Sequence, residues 1–318
     1  MKRILVIQTA FLGDVILATP VLSELKRLFP DAQLDMLVKK GNESLLLNNP
    51  HLHELHVLNK SNGKWKAIFG LIREFRKNQY DLVINLHRFG SSGLITAFSK
   101  GKKKYGFRKN PFSFLYSKRF DHKIGDGTHE VARNLSVIKE FGAQQSKRPE
   151  LYPSQKDFAT VQPYIEKTYY CIAPASVWFT KQLPAEKWVE LIQTMDENAV
   201  IYVLGAPNDK ELGDEIIRMA NHSGVINLAG KLSLLQSAAL MKTAQRSYVN
   251  DSGPLHLASS VNANVTAFFC STIPDFGFGP LSDDSEIKQV EHLDCRPCGI
   301  HGHKSCPKGH FNCSNIEI

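Results

Sequence analysis

Asp14 lies where an apolar run, Ile4 to Ile7, passes through Gly13 into apolar residues at helical spacing, Val15, Leu22, Leu25 and Leu28. A lone carboxylate at a strand-to-helix junction can serve as a general base. It can equally accept a backbone hydrogen bond in the first helical turn, and the local sequence leaves both readings open. A second junction of this kind is Asn250 to His256, NDSGPLH. There Asp251 and Ser252 are good caps, Gly253 removes steric bulk and Pro254 suits the first helical turn. Such a turn offers N–H groups and the positive end of a helix dipole to an anion. An ordinary well-capped helix has the same residues.

A third candidate is Ala173 to Pro184, APASVWFTKQLP, a loop that leaves a strand and places Lys181 just before a helix. A cation there opposes the helix dipole, so Lys181 is either recruited for a bound phosphate or simply solvated. The C-terminal region holds Cys295, Cys298, Cys306 and Cys313, interspersed with His301, His303 and His310. One CxxC pair plus two spaced cysteines fits a tetrahedral zinc site, but a tight site would usually show a second close pair, so reduced thiols in an ordered C-terminal segment are the favoured reading. Cys171 and Cys270 fall in apolar runs and read as buried small hydrophobes. No GxGxxG follows the first strand, which argues against a dinucleotide dehydrogenase. Gly224 to Ser233 fails as a Walker loop, because its glycines are six apart and Lys231 precedes Leu232.

The elements that must position these residues alternate. In the first half, strands are expected at Arg3–Gln8, Leu34–Val38, around His53–Val57, and at Asp81–Leu86, a continuous apolar run of the kind buried parallel strands show. Helices follow the first strand, with Pro20 as a kink or start, and cover Lys66–Lys77 and Thr128–Phe141. Gln144 to Pro163 carries three prolines and reads as a linker. The alternation restarts with strands at 169–173, 200–204, 225–228, 247–249 and 265–270, and helices at 184–195, 208–220, 233–243 and 254–261. This pattern predicts two doubly wound α/β domains, 1–155 and 164–318, with ligands at the carboxyl ends of the strands and in a cleft between domains.

Composition narrows the function classes. The 318 residues are 42% hydrophobic and 22% charged, with no apolar run near bilayer-crossing length. Without a signal-peptide pattern the expectation is a cytoplasmic protein. Charge is uneven: residues 1–150 hold 26 Lys and Arg against 13 Asp and Glu, whereas 151–318 hold 13 against 18. A basic first half favours an anionic partner, or is simply a solvated face. Within it, Lys100 to Arg119 interleaves basic residues with Tyr105, Phe107, Phe112, Phe114 and Tyr116. That mixture suits single-stranded nucleic acid, or phosphates and sugar rings.

Taken together, QTAFLGDVILATPVL at the N-terminus, PASVWFTKQLP, NDSGPLHLAS and the tail CRPCGIHGHKSCPKGHFNC resemble the ADP-heptose:lipopolysaccharide heptosyltransferases, most closely the heptosyltransferase II branch. The resemblance spans nearly the whole chain. It implies an inverting GT-B glycosyltransferase that moves heptose from ADP-heptose to the lipopolysaccharide inner core, without a metal or other cofactor. It also implies a lipid-linked acceptor, peripheral contact with the cytosolic face of the inner membrane, and no nucleic-acid partner. The N-terminal domain would then hold the acceptor and the C-terminal domain the ADP-sugar. Carried over by position, Asp14 becomes the catalytic base, Lys181 meets the donor diphosphate, and Ser176, Asp251, Ser252, Gly253 and His256 bind the donor. Arg88, Lys103 and Arg108 are the candidate acceptor contacts. Gln8 stands where some members have Lys, and Pro207 where some have a ribose-binding Glu, Asp209 being the nearest acid. At a helix N-terminus, Asp14 is expected to have a low pKa.

Overall fold

The structure is a computed structural model that describes residues 1–165 and 167–318. It divides into two compact units: Met1–Ile124 with Thr128–Glu150, and Gly125–Gly127 with Leu151–Ile318.

In the first unit, β1 (Arg3–Ile7), α1 (Leu12–Leu28), β2 (Gln33–Lys39), β3 (Glu54–Leu58), α2 (Lys64–Asn78), β4 (Leu82–Asn85), α3 (Gly90–Phe98), β5 (Lys103–Phe107), β6 (Lys118–Phe120) and α4 (Glu130–Ser136) follow in sequence. The six strands form one sheet in the order β3-β2-β1-β4-β5-β6, and every pairing is parallel. Parallel strands covered on both faces need unbroken apolar runs, which is why Ile4 to Ile7 and Leu82 to Ile84 are wholly buried. Helix α2 turns Ile68, Leu71, Ile72 and Phe75 onto Leu5, Ile7, Leu37 and Val83. Each such side chain, fully buried, contributes about 1.5–3 kcal/mol. Helix α1 is buried continuously from Val15 to Leu25. It begins at Leu12 and runs through Pro20, so Thr19 does not cap a new helix; its hydroxyl donates to the Ile16 carbonyl at 2.7 Å.

The second unit continues with α5 (Gln155–Val161), β7 (Tyr169–Ala173), α6 (Ala185–Gln193), β8 (Val200–Val203), α7 (Lys210–Ala220), β9 (Val225–Asn227), α8 (Leu234–Thr243), β10 (Arg246–Asn250), α9 (Gly253–Ser260), β11 (Val265–Phe269) and β12 (Ser285–Gln289). Its sheet order is β12-β11-β10-β7-β8-β9, again all parallel. Numbered from its own first strand, this is the order of the first sheet. Trp188 anchors one side of this core, edge-on to Phe268 at 5.3 Å.

Several elements had no clear signal. β5 lies inside the basic–aromatic stretch 100–119 and β6 begins there, where lysines mask the strand period. Tyr105, Phe107 and Tyr116 there are core residues, each less than 8% exposed. They are therefore not a platform for stacking bases, and of that segment's aromatics Phe114 is the exposed one. The stretch read as a linker contains α5, which opens on a capping box between Ser154 and Asp157 and packs against α8. β12 is an edge strand whose first three residues are exposed, so it lacks an apolar run.

Candidate active site

In a sheet of this order, the loops leaving two neighbouring central strands run in opposite directions and open a crevice at their carboxyl ends. Those strands are β1 and β4 in the first unit, and β7 and β10 in the second. The turns that follow them carry Asp14, Arg88, Lys181 and Asp251 respectively.

Asp14 is the third residue of α1, and its carboxylate accepts the Phe11 N–H at 3.1 Å. It is therefore both a partial cap and a group at the crevice. The expected low pKa is not found: Asp14 is raised to about 6. Burial is the main cause, because the carboxyl is ringed by protein although the residue is not fully covered. The nearby charge of Glu130 adds to the rise, while the Phe11 N–H and Arg88 oppose it. Glu130 is itself buried but held ionised, since its bonds to His122 (3.0 Å) and Arg133 (2.7 Å) outweigh the burial. A lone helix end was too weak to hold Asp14 down against desolvation and a second carboxylate. The result is a carboxylate with a pKa of about 6, which would accept a proton more readily than the low value expected from the sequence.

Asn110 fixes the loop bearing Arg88. Its amide donates to the carbonyls of His87 (2.9 Å) and Phe89 (3.1 Å), and it packs so closely that a Cβ on Gly93 would fall 2.0 Å from its oxygen. His87 accepts from or donates to the Thr9 hydroxyl at 2.8 Å. Its pKa is lowered to about 4 by burial and by the positive charges of Lys60, Arg88 and Lys39. This edge of the sheet is thus electropositive. Arg108 follows the carboxyl end of β5 and pairs with Asp121 at 3.0 Å. Lys103 does not join this edge. It is the first residue of β5, in register with Leu82 and hence near Ile4, at the amino end of the sheet. At about 3.3 Å per residue, a strand length separates it from the Asp14 turn. Gln8 is buried, and its side chain accepts the Ala10 N–H at 3.3 Å.

In the second unit, Asn250 at the end of β10 staples the loop after β7. Its amide donates to Pro174 O (2.7 Å) and its oxygen accepts Leu183 N–H (3.0 Å), closing residues 174–183 into a loop. Gln182 Oε1 accepts the Ser176 N–H at 3.2 Å within it. The loop delivers Lys181 Nζ to Asp251 Oδ2 at 2.7 Å, and Thr272 donates to the same oxygen at 2.6 Å. Asp251 is thus a partner that orients the Lys181 ammonium, and its own carboxylate offers an anion no donor. One ammonium N–H is committed to it, leaving others for a ligand. Ser252 sits at the N-cap position of α9, but its hydroxyl makes no capping bond and turns instead to Asn250 O at 3.4 Å; Pro254 has no N–H, and Leu255 N–H meets Ser252 O at 3.1 Å. The Gly253 N–H and the helix dipole are what this end of α9 offers an anion. His256 is buried one turn on, its ring 6.4 Å from that of Phe278. Asp209 is engaged as a local cap, accepting Ala206 N–H at 2.7 Å.

The C-terminal segment builds directly onto this loop, which the sequence did not disclose. Thr180, buried beside Lys181, receives His303 N–H on its hydroxyl (2.8 Å) and gives its own N–H to His303 O (3.1 Å). Ser271 donates to it through both its hydroxyl (3.0 Å) and its N–H (3.1 Å). Gly302 has φ +74°, and a Cβ there would fall 2.9 Å from Lys181 Cγ. The tail thus presses on the lysine stem at a position only glycine fills. Cys313 is buried in the core, whereas Cys295, Cys298 and Cys306 are partly exposed thiols. Among the described residues, the one trio of possible ligand atoms within 4.8 Å of one another is Asp35, Glu54 and His56, not these cysteines. That trio is already committed, with Asp35 holding Arg3 at 2.8 Å and Tyr80 at 2.6 Å.

The family model described as glycosyltransferase family 9 (heptosyltransferase) matches residues 68–308. The chain belongs to this family. Lipopolysaccharide heptosyltransferase 3 of Escherichia coli K12 is 30% identical over 278 residues, 82% of this chain and 80% of its own. Among solved structures, a family 9 glycosyl transferase from Veillonella parvula superposes with a TM-score of 0.81 at 24% identity, over 90% of this chain and 85% of its own. ADP-heptose lipopolysaccharide heptosyltransferase II of E. coli gives 0.79 at 23% identity, over 99% and 98%. The resemblance in the sequence motifs is therefore correct, and so is the α/β fold of two doubly wound sheets on the GT-B pattern. The match to the family model contains Lys181 and the 251–256 turn, while Asp14 lies before it.

Family membership makes a test of the tail specific. Gly302→Ala is expected to cost roughly tenfold or more in sugar-transfer rate by displacing Lys181. Steady-state kinetics beside a thermal melt will check it, with a rate unchanged from wild type counting against the clamp.

Proposed function

We propose that this family 9 enzyme transfers heptose from ADP-heptose to the inner core of lipopolysaccharide, with inversion at the anomeric carbon. The observation that carries the residue assignment is the pairing of Lys181 with Asp251 at the β7–β10 crevice, together with a carboxylate of near-neutral pKa at the β1–β4 crevice. In this reading Asp14 takes the proton of an acceptor hydroxyl. The acceptor oxygen bonds to the anomeric carbon, and the bond from that carbon to the diphosphate oxygen breaks. The ADP leaves with the electron pair, and Lys181 and the start of α9 stabilise the charge it gains. These positive groups support a metal-independent reaction. Ser176 and Ser252 are further donor contacts in the same proposal, and Arg88 and Arg108 are acceptor contacts suited to phosphates and acidic sugars. No described helix is long and apolar enough to cross a membrane. The acceptor is proposed to be lipid-linked, reached by peripheral contact from the cytosolic side.

The experiment is nucleotide release from ADP-heptose, UDP-sugars and GDP-sugars, with a lipopolysaccharide-core acceptor, in buffer with and without EDTA. Acceptor-dependent release from ADP-heptose alone, unaffected by EDTA, is the expected result. Release from another nucleotide sugar would reassign the donor, and loss in EDTA would overturn metal independence.

A further inference from the structure

Helix α2 packs one face into the core and leaves an unusual one outside. Trp65 and Phe69, one turn apart, are 57% and 59% exposed. Their rings stack at 6.1 Å with planes 25° apart, clear of the buried face formed by Ile68, Leu71, Ile72 and Phe75. Around them the helix carries Lys64, Lys66, Arg73, Arg76 and Lys77, all exposed. Its one acid, Glu74, is paired with His56 at 2.9 Å. Phe98, at the end of α3, is 46% exposed, and its carbonyl accepts from Arg76 at 3.4 Å. A surface helix that displays Trp and Phe among Lys and Arg matches the interfacial type, whose rings enter the headgroup boundary while its cations meet lipid phosphates.

Position strengthens the case. Helix α2 begins six residues after β3 ends, so its first turn, with Trp65, lies toward the carboxyl edge of the sheet. The same edge exposes Phe11 (61%) with Lys39 4.4 Å from its ring, and Phe89 (58%) with Arg88 at 5.4 Å. The surrounding half of the chain holds twice as many basic as acidic residues. Charge complementarity therefore points to an anionic occupant, and the rings to one with an apolar interior. Because Trp65 and Phe69 stack on each other, they suit a lipid boundary better than intercalating bases.

We propose that the outer face of α2 docks the first unit onto an anionic lipid bilayer. Trp65 and Phe69 insert, Lys64, Lys66 and Arg73 bind lipid phosphates, and the Asp14 edge is held near the headgroups. The proposal deepens the reading of a lipid-linked acceptor, but its test measures membrane binding without transfer.

Flotation with phosphatidylcholine–phosphatidylglycerol vesicles, against phosphatidylcholine alone, is the experiment. The full chain is expected to float with the anionic vesicles, to release in high salt, and to show a blue shift of Trp fluorescence that Trp65→Phe removes. The double variant Trp65→Ala/Phe69→Ala is expected to lose roughly tenfold or more in partitioning. Its thermal melt and its transfer to a delipidated, soluble acceptor should stay at wild-type levels. Lys64→Glu/Lys66→Glu should abolish the preference for anionic lipid. Absence of vesicle binding, or binding undiminished in the double variant, overturns the proposal. So does a wild-type dimer, seen by sedimentation, that the double variant loses without any vesicle binding. Salt-sensitive binding of a single-stranded oligonucleotide in place of vesicles also overturns it. A chain that binds vesicles yet transfers no sugar would fail the transferase reading alone.

Discussion

Asp14→Asn is expected to lower kcat by about 10²–10⁴-fold, the range a positioned general base contributes, while binding of the nucleotide sugar stays within about twofold. The substitution keeps the acceptor that receives the Phe11 N–H, so the start of α1 should survive. Stability supplies an independent check, because the folded pKa of Asp14 lies above its ordinary value. Such a group favours the folded state when protonated, and that contribution is fully present below the ordinary carboxylate range. It is lost as pH rises through about 6. At neutral pH the native carboxylate is thus a burden that asparagine removes. The variant should melt no lower than wild type there, with any gain vanishing in acid. The wild-type rate should fall below about pH 6 as Asp14 protonates. Removing Arg88, which helps hold that pKa down, should move this acid limb upward. A variant with near-wild-type turnover, or a flat profile through this range, would remove Asp14 from the chemistry.

Lys181→Ala is the second large effect: about 10²–10³-fold in kcat, with weaker donor binding, measured by single-turnover rates and calorimetric titration of ADP. The ammonium is positioned for a charge that grows as ADP leaves, so the loss should fall on kcat as well as on affinity. The change also takes the ammonium away from Asp251, which is almost fully buried and whose Oδ2 then keeps the Thr272 hydroxyl as a donor. Breaking a buried pair from one side typically costs about 3–5 kcal/mol. The double variant Lys181→Met/Asp251→Asn removes both charges. It should recover most of the stability and none of the activity, separating the two roles. Unchanged kinetics in Lys181→Ala would take the residue out of the site.

Much of the fold was open to a reading of periodicity. The strands of a parallel sheet are covered on both faces, so DLVINL, YYCIA and VTAFF announce themselves as apolar runs. Of the four edge strands, β3 and β9 could be read and β6 and β12 could not, for the same reason in reverse. β6 and β12 are edges, half in water, and their lysines and glutamates carry no clear period. The Asp14, Lys181 and Asp251 motifs stood out because each joins a strand to a helix, where backbone geometry exposes polar groups. Lys103 was misplaced because a basic residue looks alike at either end of a strand.

The alternation of elements, the chemical types at each junction and, through the motifs, the resemblance to a glycosyltransferase family could all be read from the order of residues. What those residues do to one another depends on the folded arrangement. It made Asp251 the partner of Lys181, turned Asn250 into a staple, and set the tail's Gly302 against the lysine stem. It also moved Asp14 from a weak base to one near neutrality. That shift depends on burial and on Glu130, 116 residues along the chain. Local sequence registers the helix dipole at Asp14, but desolvation and a distant charge exist only once the chain has folded.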